Sequence, residues 1–136
     1  MDILEIVRAA DHFRQTLEEA KARIGPVDFA WYPYDSLSNF WHLSKVLTGQ
    51  RRRLLRLAHG RPVLDVGPGD GACSFFPEAL GLTAHALENP ATSHNGLRGQ
   101  RAVCIQRLGG AGGGGIRWRR TCRINRRRPS LGWPAT

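Results

Sequence analysis

The nine residues Val63-Leu64-Asp65-Val66-Gly67-Pro68-Gly69-Asp70-Gly71 constrain this chain more than any other stretch. A short apolar run that passes directly into three glycines, each one residue from the next, reads as a buried strand ending in a tight turn. Gly67 and Gly69 permit backbone angles barred to other residues and remove the Cβ that would strike a ligand, and Gly71 lets a following helix start close to the strand. A helix beginning there presents unpaired N–H groups and the positive end of its dipole. The arrangement belongs to a doubly wound, Rossmann-like α/β sheet, where such a turn brings bare backbone to a nucleoside cofactor.

The residues that follow complete the unit. The first strand spans about 62–66, a helix runs from 72 to Leu80 with Gly81 closing it, and a second strand covers Thr83–Leu87 and ends on Glu88. Strand, helix and strand in so few residues form the compact crossover that a parallel pair requires. The first strand is apolar enough to need cover on both faces. Pro77 falls inside the helix, which must then start near Phe76 with Ser74 as its cap or be kinked.

Upstream, Ile3, Val7, Ala10, Phe13, Leu17, Ala20 and Ile24 recur at steps of three or four and define the apolar face of a helix ended by Gly25-Pro26. Residues 29–35, Phe-Ala-Trp-Tyr-Pro-Tyr-Asp, form an aromatic loop. Trp31, Tyr32 and Tyr34 there either pack against the domain, cover a cofactor, or stack on a substrate base. Asp35 or Ser36 caps a helix carrying Leu37, Phe40, Trp41 and Leu47, and a short helix from Arg51 to Ala58 leads to a turn at Gly60. Arg51-Arg52-Arg53 reads as a solvated helix face, with contact to phosphate or an acidic substrate as the sharper alternative.

The formal charge of +9 is unevenly placed. Residues 1–99 hold all eleven acids and eleven of the twenty Lys and Arg, whereas residues 100–136 hold nine arginines and no acid or lysine. That last segment carries a glycine run at 109–115 and no evident period, so no secondary structure is expected in it. Cys73, Cys104 and Cys122 lack the spacing of a disulfide framework or a zinc site, and the five histidines show no ligand spacing, so no metal is expected. Cys73 reads as a small apolar core residue. No basic-then-apolar leader is visible and no apolar run approaches the ~20 residues of a membrane span. A cytoplasmic protein without a membrane partner is the expectation.

Gly67-x-Gly69-x-x-Ala72 also satisfies the relaxed dinucleotide pattern. The acids narrow the choice. Glu88, at the end of the second strand, stands where a doubly wound fold places a carboxylate to grip both hydroxyls of a ribose. Asp65, two residues before the first glycine, tilts the reading toward S-adenosylmethionine and lies near the amino-acid portion of that ligand. A dinucleotide site and a ligand-free structural turn remain the alternatives. Gly69→Ala is expected to obstruct the ligand with little loss elsewhere.

Val63–Gly71 resembles motif I of the class I S-adenosylmethionine-dependent methyltransferases, and Glu88 matches that family's ribose acid. Residues 31–40, Trp-Tyr-Pro-Tyr-Asp-Ser-Leu-Ser-Asn-Phe, and residues 89–99, which begin Asn-Pro-Ala-Thr and include His94-Asn95-Gly96, resemble a bacterial subgroup loosely related to the transfer-RNA wobble-uridine methyltransferases. Pro68 departs from the small residue or cysteine more common in the motif. The resemblance implies a methyltransferase with cofactor contacts from Asp65, Gly67, Gly69, Asp70, Gly71 and Glu88. It names no catalytic residue, and the methyl acceptor, a tRNA base or a small molecule, stays open.

The resemblance divides the chain into a helical cap at 1–60, the start of an S-adenosylmethionine-binding domain at 61–99, and a Gly/Arg-rich tail at 100–136. It also implies that the acceptor side of the site, built from later strands, is missing. A frameshift near residue 100 in a GC-rich gene is the expected cause, to be tested by reading the other two frames. The rival is a genuine arginine-rich arm on a non-enzymatic RNA-binding protein, contacting phosphates without sequence preference.

Overall fold

The computed structural model describes residues 1–58, 60–89 and 92–109. Helix α1, Ile3–Ile24, is the organising element. Asp2 caps it in a capping box, its side chain accepting from the Leu4 N–H while the Glu5 carboxylate accepts from the Asp2 N–H. Gly25, at φ 79°, ends it as the sequence indicates. The buried face is Ile3, Ile6, Ala10, Phe13, Leu17 and Ala20. Ile6 therefore takes the place that the spacing gave to Val7, which is half-buried beside it. Both lie within one turn of Ala10, so period alone does not separate them.

The aromatic loop leads to a single 3-10 turn at Ser36–Ser38, capped by the Asp35 side chain through the Leu37 N–H. Helix α2, Asn39–Val46, follows and packs across α1. Leu37 and Phe40 point inward, whereas Trp41 is exposed. The expected helix over 51–58 is broken into a 3-10 turn, Gly49–Arg52, and the four-residue helix α3, Leu54–Leu57.

Strand β1, Val63–Val66, pairs in parallel with β2, Ala84–Leu87, in the register Val63 with Ala84 and Val66 with Leu87. Helix α4, Ala72–Ala79, connects them and covers one face, burying Ala84 and Ala86. The expectation of cover on both faces is not met. Leu64 and Val66 on the opposite face are 61% and 69% exposed. The α/β class and the parallel pair agree with the reading of the sequence, in the form of N-terminal helices and a two-stranded sheet.

Helix α4 begins at Ala72 with Pro77 inside it, not near Phe76. Ser74 does not cap it, because its hydroxyl is turned to Asp65. Proline removes one backbone donor from this helix, which ends two residues later. Gly81, at φ 84°, closes it with Leu82 N–H on the Pro77 carbonyl and Gly81 N–H on that of Glu78.

A further helix, α5, spans Arg98–Gly109, where no period was evident. It lies against α1, and Gln100 and Val103 are completely buried. Residues 100–109 thus belong to the packed domain rather than to an unstructured tail. The sequence hides this because Gly99 and the arginines at 98, 101 and 107 interrupt a face of few apolar residues. The remaining arginine-rich segment, 110–136, lies outside the described residues.

Candidate functional site at the glycine turn

The turn 67–71 joins β1 to α4 and takes three left-handed glycines, Gly67 at φ 72°, Gly69 at 57° and Gly71 at 90°. Their surroundings differ. A Cβ on Gly67 would meet nothing within 4 Å. One on Gly69 would come within 2.9 Å of the Tyr32 ring, and one on Gly71 within 2.6 Å of the Phe75 ring. Gly71 gives α4 its close start, whereas Gly69 accommodates Tyr32 of the aromatic loop. Obstruction at Gly69 therefore strikes the protein's own ring first, and the expectation of little loss elsewhere is overturned.

Gly67 donates its N–H to the Leu87 carbonyl at 3.0 Å. This bond continues the β ladder one residue beyond β1 and brings Gly67 beside the end of β2, next to Glu88. Glu88 is half-buried, and its Oε1 accepts from the Asn89 N–H at 2.9 Å. Two of the residues singled out in the sequence are thus adjacent at the carboxyl end of the parallel pair.

Asp65 points to the α4 face of the sheet. Its Oδ2 accepts a 2.6 Å hydrogen bond from the Ser74 hydroxyl. Burial pushes its carboxyl above the usual carboxylate range, and the Ser74 bond partly opposes that rise. Asp65 thus ties the strand to the first turn of α4.

Asp70 is turned inward. It is buried, accepts from the Tyr32 N–H at 2.7 Å and from Asn95 Nδ2 at 2.8 Å, and has Lys21 Nζ at 3.7 Å. Both oxygens are engaged within the protein, which ties Asp70 to the shape of the turn. Asn95 also donates to the Ala30 carbonyl, at 3.2 Å, and its Oδ1 accepts from the Gly99 N–H at 3.4 Å. The turn, the aromatic loop and the start of α5 are fastened at one point. Sequence reasoning passed over Asn95 in this role, although its position in the quoted 89–99 segment offered a signal.

The aromatic side chains divide their tasks. Tyr32 lies over Gly69 and makes edge contacts with Tyr34 and His94. Trp31 packs edge-on against Phe29 and carries Lys21 Nζ 5.2 Å from its ring centre. A cleft of about 710 Å³ opens on this side, between α1 and the aromatic loop, with Arg14, Lys21, Trp31, Tyr34 and Ala72 on its walls. Tyr32 and Ala72 border it and also adjoin the turn.

Cys73 is half-buried, and its thiol donates to the Ser36 carbonyl at 3.7 Å. Burial and the neighbouring Asp65 charge push that thiol up to about 11, so it stays protonated at neutral pH, as suits a packing residue. Among the described residues there is no group of three His, Cys, Asp or Glu side chains placed to hold a metal ion, and no helix is long and apolar enough to cross a membrane.

No protein-family model matches the chain, and comparisons with curated proteins and with solved structures find no similar protein.

Proposed function

We propose that the chain binds S-adenosylmethionine at the carboxyl end of its parallel strands and belongs to the methyltransferases, in a class I, Rossmann-like arrangement. The observation that carries this reading is the juxtaposition of Gly67 and Glu88 by the Gly67–Leu87 hydrogen bond. In an α/β sheet the ligand lies beyond the carboxyl ends of the strands, and an acid ending the second strand is the group that pairs with ribose hydroxyls. The open space at the Cβ position of Gly67 suits close approach by a ligand.

The parts of the turn have separate tasks in this reading. Gly67 is the glycine left open for the ligand. Glu88 holds the ribose. Asp65, held by Ser74, sets the strand end from which the amino-acid portion is oriented. Gly69, Gly71 and Asp70 keep the turn in shape through Tyr32, Phe75 and Asn95. S-adenosylmethionine supplies an activated methyl group on sulfur, and the residues named here bind and orient it. The cleft beside Tyr32 and Ala72 is the adjoining space into which an acceptor's reacting group fits.

Isothermal titration of the full chain with S-adenosylmethionine, and separately with NAD, tests the reading. Binding of the first and not of the second is expected. Glu88→Gln is expected to weaken binding by roughly 10- to 100-fold, as for a lost charge-assisted hydrogen bond. Binding that Glu88→Gln leaves untouched would remove the ribose from this position, and absence of binding to a folded chain would overturn the proposal.

A further inference from the structure

Between Asp35 and Asp65 the sequence contains Lys45, Arg51, Arg52, Arg53, Arg56 and Arg61 and no acid. Arg52 is engaged, its guanidinium gripping both oxygens of Asp2 at 2.9 and 3.1 Å. Arg51, Arg53, Arg56 and Arg61 are exposed and have no acidic partner among the described residues. Four exposed guanidinium groups without acidic partners, so close together in the chain, call for an anionic partner.

Helix α2 adds a second property. None of its residues is fully buried. At 100° per residue Trp41, His42, Lys45 and Val46 form one continuous outer arc, opposite the inward Phe40. Trp41 is 49% exposed and Val46 71%, and Lys45 Nζ sits 3.8 Å from the centre of the Trp41 ring. Leu57 in α3 is likewise exposed.

We infer that this segment is a docking surface for an anionic lipid bilayer, on which the outer arc of α2 enters the interface and the neighbouring arginines meet the headgroups. A lipid interface uses both properties together, apolar and amphipathic side chains at the boundary and basic groups at the anionic headgroups. Nucleic acid would use the arginines but has no role for exposed Val46 and Leu57. It also favours aromatic faces open for stacking, whereas one face of Trp41 carries the Lys45 ammonium. The expected lack of a membrane partner rests on the absence of a spanning apolar run, and a peripheral surface has no need of one. The surface is separate from the glycine turn and stands without the methyltransferase reading.

Cosedimentation of the full chain tests this, using vesicles of phosphatidylcholine alone and vesicles containing about 30% phosphatidylglycerol. Binding only to the anionic vesicles, weakened by salt, is expected. The triple variant Arg51→Gln, Arg53→Gln, Arg56→Gln should lower partitioning about 100-fold, near fivefold for each charge. Val46→Ser with Leu57→Ser should lower it about tenfold without altering charge. All five side chains are exposed, so circular dichroism should show the parent fold. Parent-like partitioning of both variants would overturn the inference and leave any binding to the arginines beyond residue 109. A single-stranded RNA oligonucleotide bound more tightly than the anionic vesicles, with the triple variant impaired and the Ser pair unaffected, would overturn it in favour of nucleic acid.

Discussion

Asn95 donates a 2.8 Å hydrogen bond to Asp70 from twenty-five residues away, and the pair is buried. Asp70 simultaneously receives the Tyr32 N–H, so three distant segments depend on one carboxylate. Gly99 makes the approach possible, since a Cβ there would overlap Asp70 Oδ1 and crowd Asn95 Nδ2. The glycine turn is therefore held by its surroundings as much as by its own sequence.

Asp70→Ala is expected to lower stability by about 2–4 kcal/mol, because it takes the acceptor from the Tyr32 N–H and from one N–H of the buried Asn95 amide. Gly99→Ala should destabilise as well, by forcing the carboxylate away from Asn95. Urea denaturation of the two variants checks both. A parent-like midpoint for Asp70→Ala would show that the two donors find other partners.

The glycines of the turn should separate in their effects. Gly67→Ala bears only the left-handed backbone cost of about 1–2 kcal/mol, since its Cβ meets open space. Gly69→Ala bears a similar cost and also displaces the Tyr32 ring. Thermal melts should therefore rank Gly69→Ala as the less stable. On the proposed function, titration with S-adenosylmethionine should show Gly67→Ala losing binding out of proportion to its stability.

The strand–glycine–helix–strand unit was legible because each signal is local. Val63–Val66 is apolar apart from Asp65, Gly81 sits where a Schellman close needs φ above zero, and Glu88 follows the second strand directly. The destinations of Asp65 and Asp70 were not legible. Both are acids beside glycines, and only the folded chain shows that one meets Ser74 and the other Asn95. Helix α5 was hidden for a related reason. Its burial rests on completely enclosed Val103 and Gln100, and the apolar residues Ala102–Ile105 run consecutively rather than at steps of three or four, so they mark no helical face. The bare face of Leu64 and Val66 was unreadable too, because an apolar strand looks the same whether one face or both are covered.

Asp65 should make stability depend on pH. Its folded-state carboxyl lies above the usual carboxylate range because burial disfavours its charge. Between the unfolded and folded values the native state binds more protons, so its contribution to stability falls as pH rises through that window. Asp65→Asn keeps an acceptor for Ser74 and removes the titration. Relative to the parent, the variant should gain stability from pH 3.8, the ordinary aspartate value, up to neutrality. Chemical denaturation at several pH values checks this, and a difference that does not change with pH would mean that the Ser74 bond fully offsets the burial.

Gln100 presents the opposite case, a polar side chain whose burial nothing repays. It is wholly enclosed, its Cγ lies near the Cβ position of Gly71, and neither Oε1 nor Nε2 has a hydrogen-bond partner among the described residues. Methionine has nearly the same length and flexibility and fills irregular gaps without polar demands. Gln100→Met should therefore raise stability by about 1–3 kcal/mol, the desolvation cost of an unsatisfied buried polar group. Val103→Ala, one turn further along α5, should lower it by roughly 1–3 kcal/mol through lost apolar burial and the cavity left against α1. Urea midpoints for the two variants should move in opposite directions. If both fall, the Gln100 carboxamide is satisfied by an internal water that methionine displaces. If neither moves, α5 does not contribute to the cooperative core.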